Sequence, residues 1–487
     1  MSLLRPPAIH ILPTELVREI VRACCDSYVD IILPFPDPKS PAIPLSQFCS
    51  RWRAVAHNEP ALWRNFRVDL PDELHGGQYE ALMNFLANGA PANSTCLWLR
   101  QGAYRPPDLN PLLPIVVSFA HCLRFLSLEL PGQSVEQLFS ISALLLHHLE
   151  RLSVAVRVTD EKDISFLETP DDHVSQIFTT APLLTGVTIG YDKLMPITLP
   201  SFPLSPWHFP RGQLTEFDAS NIWIDVNQFF FILDCPNLVT CIMTLDAEGG
   251  EEPETDDKVV TLAHLRTLHL TFLELYSWVW SNVTLPSLVD LKIAAYRDET
   301  AWEDDEFLDF MARSGCSLTH LALCFGFLDV TDAMIRIFDQ APELHELALR
   351  WTRLPGEDDA DPDAGPLMDY LAFHPHTRVN LPSLRRICID AAPESLRMLV
   401  SRCRAPDSAL REAVLYAEQP STCEALFTAE IGALQSAGVA VACERTVFQL
   451  REIYDPVYAS SEAPSPSSWA DSDTEIYPLL EISEGTS

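Results

Sequence analysis

A six-residue string, LxxLxL, recurs with apolar or small substitutions along most of this 487-residue chain. Eleven copies begin at Leu123, Leu149, Leu184, Leu214, Leu238, Leu265, Leu288, Leu318, Leu344, Leu384 and Leu410. Their spacing runs from 23 residues (265 to 288) to 40 residues (344 to 384), with a mean of about 29. A unit of this period cannot bury its apolar face alone, so the pattern predicts stacked units that share one core.

Each string has the length of a short strand, and the residues between strings have room for a turn and a helix, as in residues 330–343. The pattern resembles the leucine-rich repeat of the longer, helix-containing kind. This resemblance implies an irregular α/β horseshoe with a parallel concave sheet over residues 123–450. The alternative is a leucine-rich α/β protein in which the strings arise by chance.

A helical unit is predicted before the repeats. Leu12, Leu16 and Ile20 recur every four residues after the helix-starting Pro13, and Val17 and Val21 widen the stripe. Five prolines between residues 26 and 44 then forbid a regular helix. A second helix is predicted from Leu45 and a third over residues 59–66, with apolar residues at helical spacing: Leu45, Phe48, Cys49, Trp52, Val55, Ala56, then Leu62, Trp63 and Phe66.

Taken together, LPTELVREIV, a loop and LSQFCSRWRAVAHNEPALWRNF resemble the F-box, in a version with a Pro-rich insertion that belongs to large fungal families. The resemblance implies a three-helix F-box domain over residues 1–70, with its insertion at 26–44. It also implies docking on an adaptor of the Skp family, and through it on a cullin. The residues that match the family's motif are Leu12, Pro13, Leu16, Ile20, Leu45, Cys49, Trp52, Leu62 and Trp63. Some of these must build the F-box core rather than touch the adaptor. The alternative is another small three-helix unit, which would also need Leu and Trp in its core.

Two segments flank the predicted array. Residues 71–122 are predicted to be a linker and an N-terminal capping segment, with a strand at TCLWLR. Residues 451–487 are rich in Ser, Pro and acids and have no Lys or Arg after Arg451, which predicts a disordered tail.

Charge and cysteine content limit the partners and the compartment. The chain has 68 acids and 33 Lys or Arg, a net charge of −35, which disfavours nucleic acid and anionic membranes. No stretch approaches the roughly 18 apolar residues of a membrane span. The thirteen cysteines form no CxxC pair, which favours reduced thiols in a cytoplasmic or nuclear protein. The acidic segments 246–257, 298–309 and 357–363 either solubilise the array or attract a basic partner.

No catalytic or metal-binding motif stands out. The sequence has no GxxxxGK[ST], GxGxxG, HExxH or GxSxG, and the histidines at 147–148 and 374–376 have no partner at zinc-site spacing. We therefore expect a noncatalytic protein without metal or cofactor. The remaining enzymatic alternative is an active site assembled from residues distant in sequence.

The longest spacing, between Leu344 and Leu384, marks the candidate target-binding site, because long insertions between repeats often serve binding. Six residues are candidates for contact with the target. Arg350 and Arg386 are the arginine donors, Trp351 is the aromatic anchor, and His320, Glu346 and Asp390 form a polar rim. Alternatively, Trp351 packs into the loop and the arginines only neutralise nearby acids.

An F-box joined to leucine-rich repeats resembles the substrate receptors of Skp, cullin and F-box ubiquitin ligases. The implied activity is target recognition, with ubiquitin transfer left to other subunits. The alternative from another class is a noncatalytic repeat scaffold or inhibitor that binds a basic protein through its acidic loops.

Overall fold

The computed structural model describes residues 12–23, 29–32, 45, 47–59, 65–70, 80, 95–101, 112–139, 146–158, 181–192, 209–246, 259–272, 278–295, 304–325, 332–351, 365–374, 379–417 and 420–445. The chain divides into one compact unit of Met1–Met195 with Leu199–Val447 and a second of Pro196–Thr198 with Phe448–Ser487. The second unit lies outside the described residues, as does the predicted tail.

Seventeen strands are described: β1 Val29–Ile32, β2 Asn65–Leu70, β3 Thr95–Gln101, β4 Leu123–Pro131, β5 Arg151–Arg157, β6 Gly186–Asp192, β7 Glu216–Asp225, β8 Thr240–Asp246, β9 Val260–Thr261, β10 Thr267–Phe272, β11 Val283–Thr284, β12 Asp290–Ala295, β13 His320–Phe325, β14 Glu346–Trp351, β15 Arg386–Asp390, β16 Glu412–Ala417 and β17 Ala440–Arg445. All but β9 and β11 form one open 15-stranded sheet in sequence order, and β9 and β11 pair with each other. Every pairing described is parallel, so the predicted parallel sheet is confirmed.

Parallel neighbours need a crossover, and helices supply most of them. The twelve helices described are α1 Thr14–Ala23, α2 Ser50–His57, α3 Leu112–Phe119, α4 Gly132–Phe139, α5 Val226–Leu233, α6 Trp278–Ser281, α7 Asp304–Ser314, α8 Asp332–Gln340, α9 Gly365–Leu371, α10 Pro393–Cys403, α11 Pro420–Leu426 and α12 Thr428–Ser436.

The eleven strings share one register. Their first leucines are all buried, and the residue after each first leucine joins a backbone ladder that crosses the strand starts. For example, the carbonyl oxygen of Thr215 accepts from the amides of Val239 at 2.8 Å and Thr240 at 3.0 Å. Most repeats use the same bifurcated bond, which leaves few backbone groups unpaired where the strands begin.

Prolines set the turn that leads into several strands. In the turn from Ala341 to Leu344, the Leu344 amide donates to the Ala341 carbonyl at 3.2 Å, and Pro342 occupies the second position. The fixed φ of proline suits that position of a β-turn. Where an Ala-Pro or Leu-Pro dipeptide precedes a string, it therefore marks where that strand starts.

Alternation in the strands creates a buried face and an open face. In β10 the residues Leu268, Leu270 and Phe272 are buried, whereas the residues between them are half-buried. The Phe272 ring lies 6.5 Å from that of Trp280 on α6, whose indole is 5.1 Å from the Phe307 ring on α7. The core thus lies between the sheet and the returning helices. We call the other side of the sheet the open face.

Two arginines at helix ends bind carbonyl groups of the preceding repeat. Arg402, in the last turn of α10, is fully buried and donates to the carbonyls of Leu371 (2.9 Å), Asn380 (2.8 Å) and Leu381 (2.5 Å). Arg313 of α7 donates in the same way to the Trp280 and Val283 carbonyls. Burial lowers the pKa of Arg402 to about 10, so the guanidinium is still charged at neutral pH.

The three-helix unit predicted for residues 1–70 is not confirmed. Helices α1 and α2 lie where helices were predicted, but Asn65 and Phe66, placed in the third helix, begin strand β2. In β2, Phe66, Val68 and Leu70 are buried, and this period of two is typical of a strand. Strand β1 lies within the predicted loop 26–44, and the sheet therefore extends on the N-terminal side of Leu123.

No helix in the described part of the chain is both long and apolar enough to cross a membrane.

Candidate interaction surfaces

Helices α1 and α2 form a parallel pair. Near their starts, the Arg51 guanidinium donates to the Thr14 hydroxyl at 2.9 Å, and near their ends Arg22 lies 3.4 Å from the buried Glu59 carboxylate. A parallel pair needs a connection that returns along the length of the helices. The long, proline-containing segment between α1 and α2 supplies that connection.

The apolar residues of α1 divide between two sides. Val17 and Val21 are fully buried, whereas Leu16 is 50% exposed and Ile20 is 38% exposed. Successive helix residues are rotated by about 100°, so Val17 and Val21 point away from Leu16 and Ile20 by that angle and can have different surroundings. Phe48, just before α2, is 51% exposed. Leu16, Ile20 and Phe48 are the exposed large hydrophobic residues described in this helix pair, and we call them the apolar patch.

Trp52 is the buried centre of α2. Its ring lies 5.4 Å from that of Phe48, and its indole N–H is buried without a hydrogen-bond partner among the described residues. Cys49 caps this helix, with its sulfur 3.5 Å from the Trp52 amide nitrogen. An unpaired buried N–H costs about 1–3 kcal/mol. Trp52 is therefore packed in the core, while its indole N–H forms no hydrogen bond to a described residue.

The other predicted adaptor residues have varied environments. Leu12 and Leu45 are half-buried and Pro13 is exposed. Leu62 and Trp63 lie outside the described residues. The structure thus separates the predicted set into exposed candidates for contact, Leu16, Ile20 and Pro13, and a core member, Trp52.

The predicted target-binding residues lie on the adjacent strands β13 to β15 of the open face. His320, Glu346 and Arg386 share one row across the sheet, and Glu412 of β16 continues it. Arg386 lies 3.1 Å from the Glu346 carboxylate and 3.3 Å from that of Glu412. This double pairing favours the alternative in which Arg386 neutralises nearby acids.

A second row contains Arg350 and the end of β15. The Arg350 guanidinium carbon lies 4.4 Å from the centre of the Tyr416 ring, in cation–π geometry. Asp390 faces Tyr416 across the β15–β16 pair. Burial raises the pKa of Tyr416 to about 12, so the phenol is neutral at physiological pH. The backbone of Trp351 ends β14, and its side chain lies outside the described residues.

Between these rows the open face has small side chains. Ala322, Ala348 and Cys388 occupy successive strands. Burial raises the pKa of the Cys388 thiol to about 11, so it is not a ready nucleophile at neutral pH. Together these features give a surface suited to contact with a protein and offer no activated nucleophile.

The N-terminal half of the open face carries contacts that sequence reasoning missed. The rings of Trp98 on β3 and Phe125 on β4 are in contact, with centres 4.8 Å apart and planes inclined by 42°. Arg151 of β5 reaches the Glu216 carboxylate of β7 at 2.9 Å across the intervening Gly186. A Cβ on Gly186 would lie 3.1 Å from the Arg151 side chain, so glycine keeps this crossing open. The signal for Trp98 was the alternation in TCLWLR, which was interpreted only as a cap.

No group of three or more His, Cys, Asp or Glu side chains in the described ranges could hold a metal ion. His147 and His148 are exposed, and His374 bonds the backbone carbonyl of Asp369 at 2.9 Å.

Comparisons of the chain with models of known protein families and with curated protein sequences find no match.

Proposed function

We propose that this protein is the target-recognition subunit of a Skp, cullin and F-box type ubiquitin ligase. In this proposal the helix pair docks on a Skp-family adaptor, the strand array is a leucine-rich repeat that binds a target protein, and ubiquitin transfer is done by other subunits. The observation that carries the proposal is the apolar patch of Leu16, Ile20 and Phe48, which a chain with no partner would leave exposed to water.

The energetics of the patch suit docking. Burying a full Leu, Ile or Phe side chain stabilises an interface by about 1.5–3 kcal/mol. Because the three side chains are between about one third and one half exposed, burying what remains would contribute roughly 2–4 kcal/mol together. That is enough for a hot spot but not for a whole interface, so the half-buried Leu12 and exposed Pro13 would extend it.

The strand array supplies the second half of the proposed function. Its open face presents ion pairs, a tilted aromatic pair and small side chains on one parallel sheet. Preformed mixed surfaces of this kind fit a folded partner, because little entropy is lost on binding. In this proposal His320, Arg350 and Asp390 contact the target, and Arg386 and Glu346 do so after exchanging their present partners.

Co-purification tests the proposal. The tagged full-length chain, expressed in a eukaryotic cell, should recover a Skp-family adaptor and a cullin in stoichiometric amounts. Recovery of basic proteins without adaptor or cullin would instead favour the scaffold or inhibitor, and would refute the ligase assignment.

A further inference from the structure

The edge of the sheet where the strands begin carries a row of equivalent side chains. Each belongs to the residue after the first leucine of a string, the same residue that forms the backbone ladder. Immediately before β14, β15 and β16 these residues are His345, Arg385 and Arg411, joined by amide-to-carbonyl bonds of 2.8 Å. Their backbones are therefore about one strand spacing apart, roughly 4.8 Å. We call this row, with Arg404 at the end of α10, the basic edge.

The arginines of the basic edge differ from most others in the chain. Elsewhere, arginines such as Arg157 and Arg211 pair with a carboxylate, as expected where acids outnumber bases two to one. Within the described chain, the side chains of Arg385 and Arg404 form no hydrogen bond or ion pair, and Arg411 donates only to the Leu410 carbonyl. All three are exposed.

Two acids lie in the turns at the same edge. Glu343 lies in the turn before β14 and Asp407 in the turn before β16. Neither forms an ion pair with a described residue. Arg385 and Arg411 lie on adjacent positions of the ladder, and each guanidinium can present two parallel donors to one carboxylate or phosphate. The row is therefore electrostatically suited to an anion.

A second basic point lies farther along the same edge. Arg266 of the β10 string and His264 line a cleft of about 550 Å³ with Gln213, Thr215, Asn237 and Val239. Arg266 is exposed and has no ion pair among the described residues. Strands β12, β13 and β14 separate β10 from β15, so the two points are about 19 Å apart at roughly 4.8 Å per strand. An extended segment of about six residues spans that distance.

We propose that the basic edge binds an extended, acidic or phosphorylated segment of a partner protein. Carboxylates and phosphates share the chemistry that the arginine forks recognise. Nucleic acids and anionic bilayers carry charge over much larger areas, and the net charge of −35 would repel them beyond this short row. The site is separate from the open face, and its occupation does not depend on adaptor docking.

Degenerate peptide pools test this proposal. Three fluorescein-labelled 12-residue pools carry phosphoserine, glutamate or serine at three fixed alternate positions, and fluorescence anisotropy measures their binding to the full chain. The phosphoserine pool, the glutamate pool or both should bind at least tenfold more tightly than the serine pool. Binding of phosphoserine alone would assign a phosphate site, and binding of both would assign a general acidic site. Equal binding of all three pools would overturn the proposal.

Variants locate the site. Arg385→Glu with Arg411→Glu should reduce binding of the anionic pools to that of the serine pool. Arg385→Gln with Arg411→Gln adds no repulsion and replaces the first variant if that one fails to fold. It should weaken binding of the anionic pools at least fivefold. Arg397→Glu is the matched control, because Arg397 is exposed on α10 and pairs with Glu394 away from the edge. Unchanged binding in the glutamine variant, or an equal loss in the control, would refute the assignment.

Discussion

Replacing Arg402 by Met should loosen the C-terminal repeats. Methionine has a similar length and fills most of the volume, so the change mainly removes three hydrogen bonds to the carbonyls of Leu371, Asn380 and Leu381. Hydrogen bonds to a charged group contribute about 1.5–3 kcal/mol each. Part of that gain is offset because the buried guanidinium is desolvated, which lowers its pKa to about 10, and its Nε has no partner.

Methionine leaves these buried carbonyl acceptors unsatisfied at about 1–3 kcal/mol each, and because removal of the desolvated guanidinium offsets part of that cost, we expect a net loss near 3 kcal/mol. In a repeat array each unit contacts mainly its neighbours, so the loss should be local. Three kcal/mol corresponds to a fall of roughly 100- to 200-fold in the protection of backbone amides against hydrogen exchange. The fall should affect β15 and β16 and spare β7 and β8.

Hydrogen exchange followed by mass spectrometry measures this difference. The control is Arg397→Met on the same helix, where the side chain is exposed and has one ion pair with Glu394 at 3.2 Å. Such surface pairs contribute at most about 0.5 kcal/mol, so protection should change less than about threefold. Equal protection in the two variants would refute the role of Arg402 in joining the repeats.

Three further outcomes are expected. Residues 1–70 carry eight Lys or Arg and seven Asp or Glu, so adaptor affinity should change less than about threefold between roughly 50 and 150 mM salt; a tenfold fall would show that docking is ionic. Arg350→Glu with Arg386→Glu should remove targets from a proximity-labelling profile and retain the adaptor, whereas an unaltered profile would leave both arginines structural. Because burial raises the pKa of Cys388 to about 11, its alkylation rate should rise about tenfold per pH unit up to that value, and a plateau near pH 9 would contradict its burial.

The sequence was most informative where local pattern and tertiary packing agree. The eleven LxxLxL strings all have a buried first leucine, because alternation and the proline turns before the strings set the register locally. The segment NFRVDL shows the limit. Phe66 fits a helical spacing with Leu62 and Trp63, yet it also begins a period of two with Val68 and Leu70, and pairing with β3 favours the strand.

Contacts between distant residues could not be predicted in this way. The pairing of Arg151 with Glu216 joins residues 65 positions apart and depends on which residue of β6 lies between them. A basic residue in the last turn of a helix is usually exposed to solvent, so the sequence does not predict that Arg402 is buried. It is buried because α10 packs against the preceding repeat. The division of α1 into buried valines and an exposed Leu16 depends likewise on where α2 packs.

The affinity of the Leu16→Asp variant for the adaptor tests whether the apolar patch is the docking surface. The change removes about 1 kcal/mol of apolar contact and places a charge in an apolar interface, so affinity for a purified Skp-family adaptor should fall at least 100-fold. The matched control is Leu183→Asp, because Leu183 is 47% exposed against 50% for Leu16 and lies in the turn before β6. Calorimetric titration should give wild-type affinity for the control and none measurable for Leu16→Asp. Equal affinity in the two variants, or no binding by the wild-type chain, would contradict the account.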